Sequence, residues 1–207
     1  MNLDDLKIIY FSITALIVIS IYSPLIMEHF PAPQEESFFA LALLGKEGLA
    51  ENYYPGEEPI VYPDTPVKWH IYIYNHMGES QQIKIKIKLV DSNTPPPNIT
   101  TCTPSPTTEI FEIRRFVLNN ETLIIPFEWS ISEVIEVDES YQLSLLQMND
   151  YPINIDIIMD KEEALKMVFE LWVYDENTRD FVFGWSERGE TRCVWNQIQF
   201  YLRMRST

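Results

Sequence analysis

Cysteine is nearly absent from this 207-residue chain: Cys102 and Cys193 are its two thiols, and His29, His70 and His76 are its three imidazoles. A structural zinc centre needs four such ligands at short spacings, and this inventory does not supply them. His70 and His76 stand six residues apart on an extended run, roughly 20 Å at about 3.3 Å per residue. Glycine is equally scarce, with six residues, so the chain has no glycine-rich phosphate cradle, and no Gly-x-Ser-x-Gly elbow occurs. Basic residues number 15 against 31 acidic ones, giving a net charge of −16. That field disfavours nucleic acid and anionic lipid and suits a cationic partner or a saline exterior. The acids are scattered, so no disordered acidic tail is expected. They also form no EF-hand-like loop, and Asp138-Glu139 and Asp175-Glu176 read as solvated turns. No catalytic, cofactor-binding or metal-ligating residue is assigned.

Charge is missing altogether from Ile8 to Met27, twenty residues long. A run of that length spans the hydrocarbon core of a bilayer as a helix. Its apolar residues fall on every helical face, which suits lipid rather than one packing surface. A cleaved signal peptide would need a shorter core and a small-residue cleavage pattern, and Glu28-His29-Phe30-Pro31-Ala32-Pro33 offers none. The expected organisation is a cytoplasmic tail over 1–7, a transmembrane helix over 8–27, a proline-bearing stalk over 28–36 and an exported domain over 37–207. Lys7 holds the tail inside. Two sequons, Asn98-Ile99-Thr100 and Asn120-Glu121-Thr122, make Asn98 and Asn120 candidate N-glycosylation sites if the domain is exported. In that setting Cys102 and Cys193 are a candidate disulfide or two independent thiols. A bridge closing a loop of about ninety residues would stabilise by roughly 4–5 kcal/mol at most. The tail holds Asp4, Asp5 and Lys7, so 14 basic and 29 acidic residues remain for the exported part.

Within 37–207, short strands and turn signals dominate. Phe38 to Leu44 reads as a buried strand ended by Gly45, and Pro55, Pro59, Pro63 and Pro66 impose an irregular surface connection. Val67, Trp69, Ile71 and Ile73 alternate with polar or tyrosyl neighbours, and Asn75-His76-Met77-Gly78 is the expected turn. Ile83, Ile85, Ile87 and Leu89 then alternate with Lys84, Lys86 and Lys88, a lysine ladder read as a solvent face guarding an edge. Residues 91–108, rich in Pro, Thr and Ser, are expected to be an exposed loop. Strands follow at Ile110–Leu118 and Thr122–Trp129, joined as a hairpin through Asn119-Asn120-Glu121, and at Tyr141–Leu146. Met159 to Leu165 has helical propensity. Met167–Tyr174, the segment through Phe181–Phe183, and Val194–Leu202 close the domain. Trp129, Trp172, Trp185 and Trp195 read as core or partner-facing residues, with a carbohydrate platform as the alternative. The pattern predicts an immunoglobulin-like antiparallel β-sandwich, mainly β, behind one N-terminal helix.

The stretch Glu36-Ser37-Phe38-Phe39-Ala40-Leu41-Ala42-Leu43-Leu44-Gly45-Lys46-Glu47-Gly48-Leu49-Ala50-Glu51-Asn52-Tyr53-Tyr54-Pro55, with Ile71-Tyr72-Ile73-Tyr74-Asn75-His76-Met77-Gly78 and the later Phe169-Glu170-Leu171-Trp172-Val173-Tyr174-Asp175, resembles a prokaryotic, largely archaeal membrane family, domain of unknown function 1616. The resemblance covers about a third of the chain. It implies a membrane-anchored exterior domain and brings no activity or catalytic residue with it. The expectation is a non-catalytic, single-pass protein of the cell membrane with its C-terminal domain outside the cytoplasm. Its expected partners are the bilayer and integral-membrane or envelope proteins. It would act as accessory subunit or scaffold, or alternatively as a surface-layer or adhesion protein that contacts glycan.

Overall fold

A computed structural model describes residues 3–29, 36–56, 58–187 and 189–205. The chain divides into two units, Met1–Glu36 and Ser37–Thr207. In the first, helix α1 runs Leu3–His29. Its hydroxyls satisfy themselves on the preceding turn: Ser12 Oγ donates to Ile8 O at 2.9 Å and Thr14 Oγ1 to Tyr10 O at 2.8 Å. Ile8, Phe11, Ile13, Leu16, Ile17 and Val18 are all exposed, which leaves a helix with apolar groups on every side. The span expected from Ile8 to Met27 therefore lies inside a helix. Its passage through a bilayer is a separate matter: among the described residues no helix is long and apolar enough to cross a membrane. Side chains are described for 7–20 and 22 only, so the Met27 end falls outside them, as do residues 30–35 of the expected stalk.

Among the described residues the second unit has thirteen strands. They are β1 (Phe38–Leu44), β2 (Ile60–Val61), β3 (Val67–His76), β4 (Gln81–Val90), β5 (Phe111–Val117), β6 (Thr122–Val137), β7 (Ser140–Met148), β8 (Tyr151–Asp160), β9 (Ala164–Asp175), β10 (Asp180–Phe183), β11 (Trp185–Glu187), β12 (Glu190–Arg192) and β13 (Trp195–Leu202). One large sheet has the order β1-β3-β6-β7-β8 and the second β2-β13-β9-β4-β5, with β10 also on β9, while β11 and β12 form a separate two-stranded ribbon. Pairing is antiparallel except where Ile60–Val61 lies parallel to Tyr201–Leu202. The period-2 residues of each sheet meet in one core, since strand side chains alternate faces. Across it, Phe169 lies 6.1 Å from Trp69 and 5.6 Å from Phe127 between ring centroids, and Trp129 lies 4.8 Å from Phe200. The second unit is thus a mainly β, antiparallel sandwich.

Several local expectations are corrected. β3 continues through the predicted turn to His76, because Asn75 is fully buried rather than exposed. Its Nδ2 donates to Glu79 O, Val117 O and Leu118 O at 2.9–3.1 Å, and its Oδ1 accepts from Met77 N at 3.0 Å. Those bonds draw the end of β5 to the other sheet. Accordingly β5 and β6 are not a hairpin: β5 pairs with β4 and β6 with β3, and 118–121 crosses between the sheets. The helix expected at Met159–Leu165 is absent, since β8 runs to Asp160 and β9 begins at Ala164. Propensity differences of a few tenths of a kcal/mol per residue yield to burial of Met159, Leu165 and Met167, about 1.5–3 kcal/mol each. The proline-punctuated connection also contributes β2, whose Val61 is completely buried. β1 alternates, with Phe39, Leu41 and Leu43 inward, and is buried on one face only. β8, β11, β12 and the distal half of β6 were not anticipated.

Candidate functional site

The lysine ladder is the largest departure from expectation. β4 lies between β9 and β5 in the middle of its sheet, so its outer face guards no edge. The side chains of Lys84, Lys86 and Lys88 are only 11, 16 and 4 % exposed. Each has a carboxylate: Glu112 at 3.3 Å, Glu109 at 3.3 Å and Glu170 at 2.9 Å. Two also sit over aromatic rings, Lys84 at 4.7 Å from Phe181 and Lys86 at 4.0 Å from Trp172, where the ring face attracts a cation. The contacts are diagonal across the strands: Lys86 stands opposite Glu170 and Lys84 opposite Trp172 on β9, so Lys88 reaches Glu170 and Lys86 reaches Trp172 one pair along.

At the end of this row Lys88 and Glu170 form a buried pair, and Glu170 is completely inaccessible. What covers it is the segment 91–108. That loop is not free of the sheet: Ser105 is buried, its amide donates to Glu170 Oε1 at 2.8 Å, and its carbonyl accepts from Lys88 Nζ at 2.6 Å. Glu170 Oε2 accepts from Trp172 Nε1 at 3.1 Å. The loop is also tied at its base, where Asp91 accepts from the amide and hydroxyl of Thr94; these bonds, the hydroxyl's first, hold the Asp91 carboxyl below its ordinary range. Lys166 donates to Ser92 O at 3.1 Å. Composition alone made this loop look exposed, and no rule of composition carries the information that its backbone satisfies a buried ion pair. A signal for Glu170 did exist, as the single charge within Met167–Val173.

The same loop brings the two thiols together. Asn98 and Thr103 form an isolated bridge, and between them Cys102 adopts a left-handed backbone at φ 45°. Cys102 is half-buried and Cys193, just after β12, is buried; both are free thiols. Cys102 Sγ lies 3.7 Å from Ile99 O and 3.6 Å from Thr191 O, and Cys193 Sγ lies 3.9 Å from the same Ile99 O. Burial, then a hydrogen bond to Cys102, pushes the Cys193 thiol up to about 12. Gly184 makes room beside it: a Cβ there would stand 2.4 Å from Arg192 O and 3.2 Å from Cys193 Cβ.

The remaining expected residues are dispersed. Asn98 and Asn120 are both exposed. Asn98 Oδ1 accepts from the amides of Thr100 and Thr101, and Asn120 Oδ1 accepts from His76 Nδ1 at 2.7 Å. His70 instead faces Gly45 O at 3.1 Å, so the two histidines do not converge. Among the described residues no three His, Cys, Asp or Glu side chains could hold a metal ion together. Trp129 and Trp185 are buried, whereas Trp172 and Trp195 are half-buried, so the four tryptophans make no single platform. An open cleft of about 600 Å³ is lined by Lys46, Asn52, Tyr53, Tyr54, Pro66 and Lys68. It adjoins a second of about 500 Å³ through Lys46, Glu47 and Lys68. Tyr54 donates to Gln199 O and Tyr53 to Leu43 O, and burial followed by repulsion from Tyr53 raises Tyr54 to about 12.

No family model matches the chain, and no curated protein matches it. A similar solved structure is the CARDB domain of a Pyrococcus furiosus protein, in complex with di-metal ions. It has a TM-score of 0.35 and 8 % identity, and covers 82 % of this chain and 90 % of that one. A likeness of that size bears on neither ligands nor partners.

Proposed function

We propose that this chain is a non-catalytic, single-pass membrane protein whose immunoglobulin-like sandwich stands outside the cytoplasm as an accessory subunit or scaffold of a membrane-protein complex. The observation that carries the reading is the absence of any formal charge from Ile8 to Met27 within α1, together with the exposed apolar side chains over 8–20; the described side chains by themselves do not make a helix long and apolar enough to cross a membrane. Such a surface is covered by lipid or by other apolar helices. In the sandwich the buried carboxylate Glu170 is engaged by Lys88, Ser105 and Trp172, so its place is in the packing of the sheet and its covering loop. The resemblance to the exterior domain of unknown function 1616 family agrees with it.

Gentle detergent extraction followed by native-gel separation and mass spectrometry tests the proposal. Stoichiometric migration with an integral-membrane protein is expected, and release of the full chain from membranes by alkaline carbonate would overturn it. A second reading, a surface-layer or adhesion protein contacting glycan, is favoured by the cleft at Tyr53, Tyr54, Lys46 and Lys68. It predicts copurification with surface material and glycan binding weakened by Lys68→Ala.

A further inference from the structure

We propose that Cys102 and Cys193 form a redox latch that fastens the loop over residues 91–108 across the buried Lys88–Glu170 pair. Two independent features bring the sulfurs together. The bridge between Asn98 and Thr103, closed by amide–carbonyl bonds of 2.8 and 3.1 Å, fixes the tip that carries Cys102. The close approach of Gly184 to Arg192 fixes the segment that carries Cys193. Both sulfurs then contact one carbonyl, that of Ile99. Closure requires the two Cα atoms to stand about 4.4–6.8 Å apart with their side chains turned toward each other.

Exposure assigns the order of events. Cys102 is half-buried and is the thiol that a reagent reaches, whereas Cys193 is 7 % exposed. With a low-molecular-weight disulfide as oxidant, the Cys102 thiolate attacks one sulfur and expels one thiolate, leaving a mixed disulfide at Cys102. Cys193 loses its proton and attacks the Cys102 sulfur, expelling the second thiolate. Two protein thiols and one small disulfide become one protein disulfide and two small thiols, so atoms and electrons balance. Burial holds the Cys193 thiol above its ordinary range, so its attack is the slower step and quickens as the pH rises.

The bond has a structural consequence beyond itself. The loop holds two partners of the buried pair, the Ser105 amide and carbonyl. In the reduced protein any lifting of the tip exposes the pair to water; in the oxidised protein the tip is covalently held to the segment before β13. The latch is independent of the membrane reading, because it concerns the second unit alone.

The test uses the purified full chain, reduced and then incubated with glutathione disulfide. Peptide mapping should find an intramolecular Cys102–Cys193 link, and hydrogen exchange at the Ser105 amide should slow at least tenfold on oxidation. Cys193→Ala should trap glutathione on Cys102. Cys102→Ser, at a half-exposed site that folding tolerates, should leave Cys193 unmodified in the folded protein. Glutathione on both cysteines without a link, an intermolecular link, or unchanged Ser105 exchange in a linked protein would each overturn the latch.

Discussion

Replacing Lys88 by methionine isolates the buried ion pair from everything else on the sheet. The variant leaves Glu170 with the donors Ser105 N and Trp172 Nε1 but without its counter-charge, in a site of 0 % exposure. Breaking a buried pair from one side costs about 3–5 kcal/mol. Glu170→Gln strands the lysine instead and should cost a similar amount, although the amide oxygen still accepts from Ser105. The double variant removes both charges and leaves two smaller defects, the Ser105 carbonyl without its donor and Trp172 Nε1 against an amide nitrogen, each costing about 1 kcal/mol at the low end for an unsatisfied buried group. The double variant should therefore be more stable than either single one, by about 2 kcal/mol. Urea unfolding followed by tryptophan fluorescence measures this cleanly, because all five tryptophans lie in the second unit and α1 is silent. Lys68→Met is the internal control: its partner Glu128 is 3.1 Å away, but the side chains are 55 and 51 % exposed, so the change should be under about 1 kcal/mol. Single variants that cost less than about 1 kcal/mol, or a double variant equal to their sum, would refute the argument that the loop seals a charge pair.

Asn75→Ala removes four hydrogen bonds at a fully buried site and should cost about 2–4 kcal/mol in the same assay. Asn75→Asp should be worse at pH 7, where a carboxylate faces three carbonyls, and should recover partly as the pH is lowered and the acid protonates. Trp69→Ala empties the centre of the aromatic cluster and removes the 2.6 Å bond to Tyr53 O, for a loss of about 3–5 kcal/mol that lowers the midpoint in urea. Tyr54 should ionise near pH 12 in an ultraviolet titration compared with that of Tyr54→Phe. Its folded value lies above the unfolded one of about 10, so its contribution to stability is complete below pH 10 and is lost as the pH rises to 12. Tyr54→Phe should flatten that alkaline decline.

Strand alternation made much of this sandwich legible. Val67–Ile73 and Ile83–Leu89 carry their inward residues at strict period 2, and no turn chemistry can shift such a strand by one residue without exposing the whole row. What alternation does not encode is the partner. β5 and β6 flank a turn suited to a hairpin, yet they belong to opposite sheets because Asn75 binds the carbonyls of Val117 and Leu118 from across the core. A polar turn former buried at 0 % exposure is a long-range fact, invisible in a window of four residues. β8 is hard to read because Tyr151-Pro152 opens on a turn signal, and a proline is tolerated on this strand, the last of its sheet among the described residues.

The site was legible in its residues and hidden in its relations. The three lysines, the two cysteines and the sequons could be named in advance, but a lysine on an outer strand face has two opposite fates. It is solvated when the face is bare and paired when something covers it. Here the cover comes from a loop whose Pro, Ser and Thr content predicts exposure, and whose grip depends on backbone groups that any residue possesses. Ser105 contributes its amide and carbonyl, and only its hydroxyl bond to Pro95 O depends on its being serine. A segment that acts through its main chain leaves little trace in composition. The readable trace lies on the other side of the contact, in the lone Glu170 among apolar neighbours on β9, which requires a cation and donors from somewhere. Reading an isolated charge in an apolar strand as a demand for partners would have pointed from Glu170 to Lys88 through their antiparallel strands, and from that pair to the loop that closes over it.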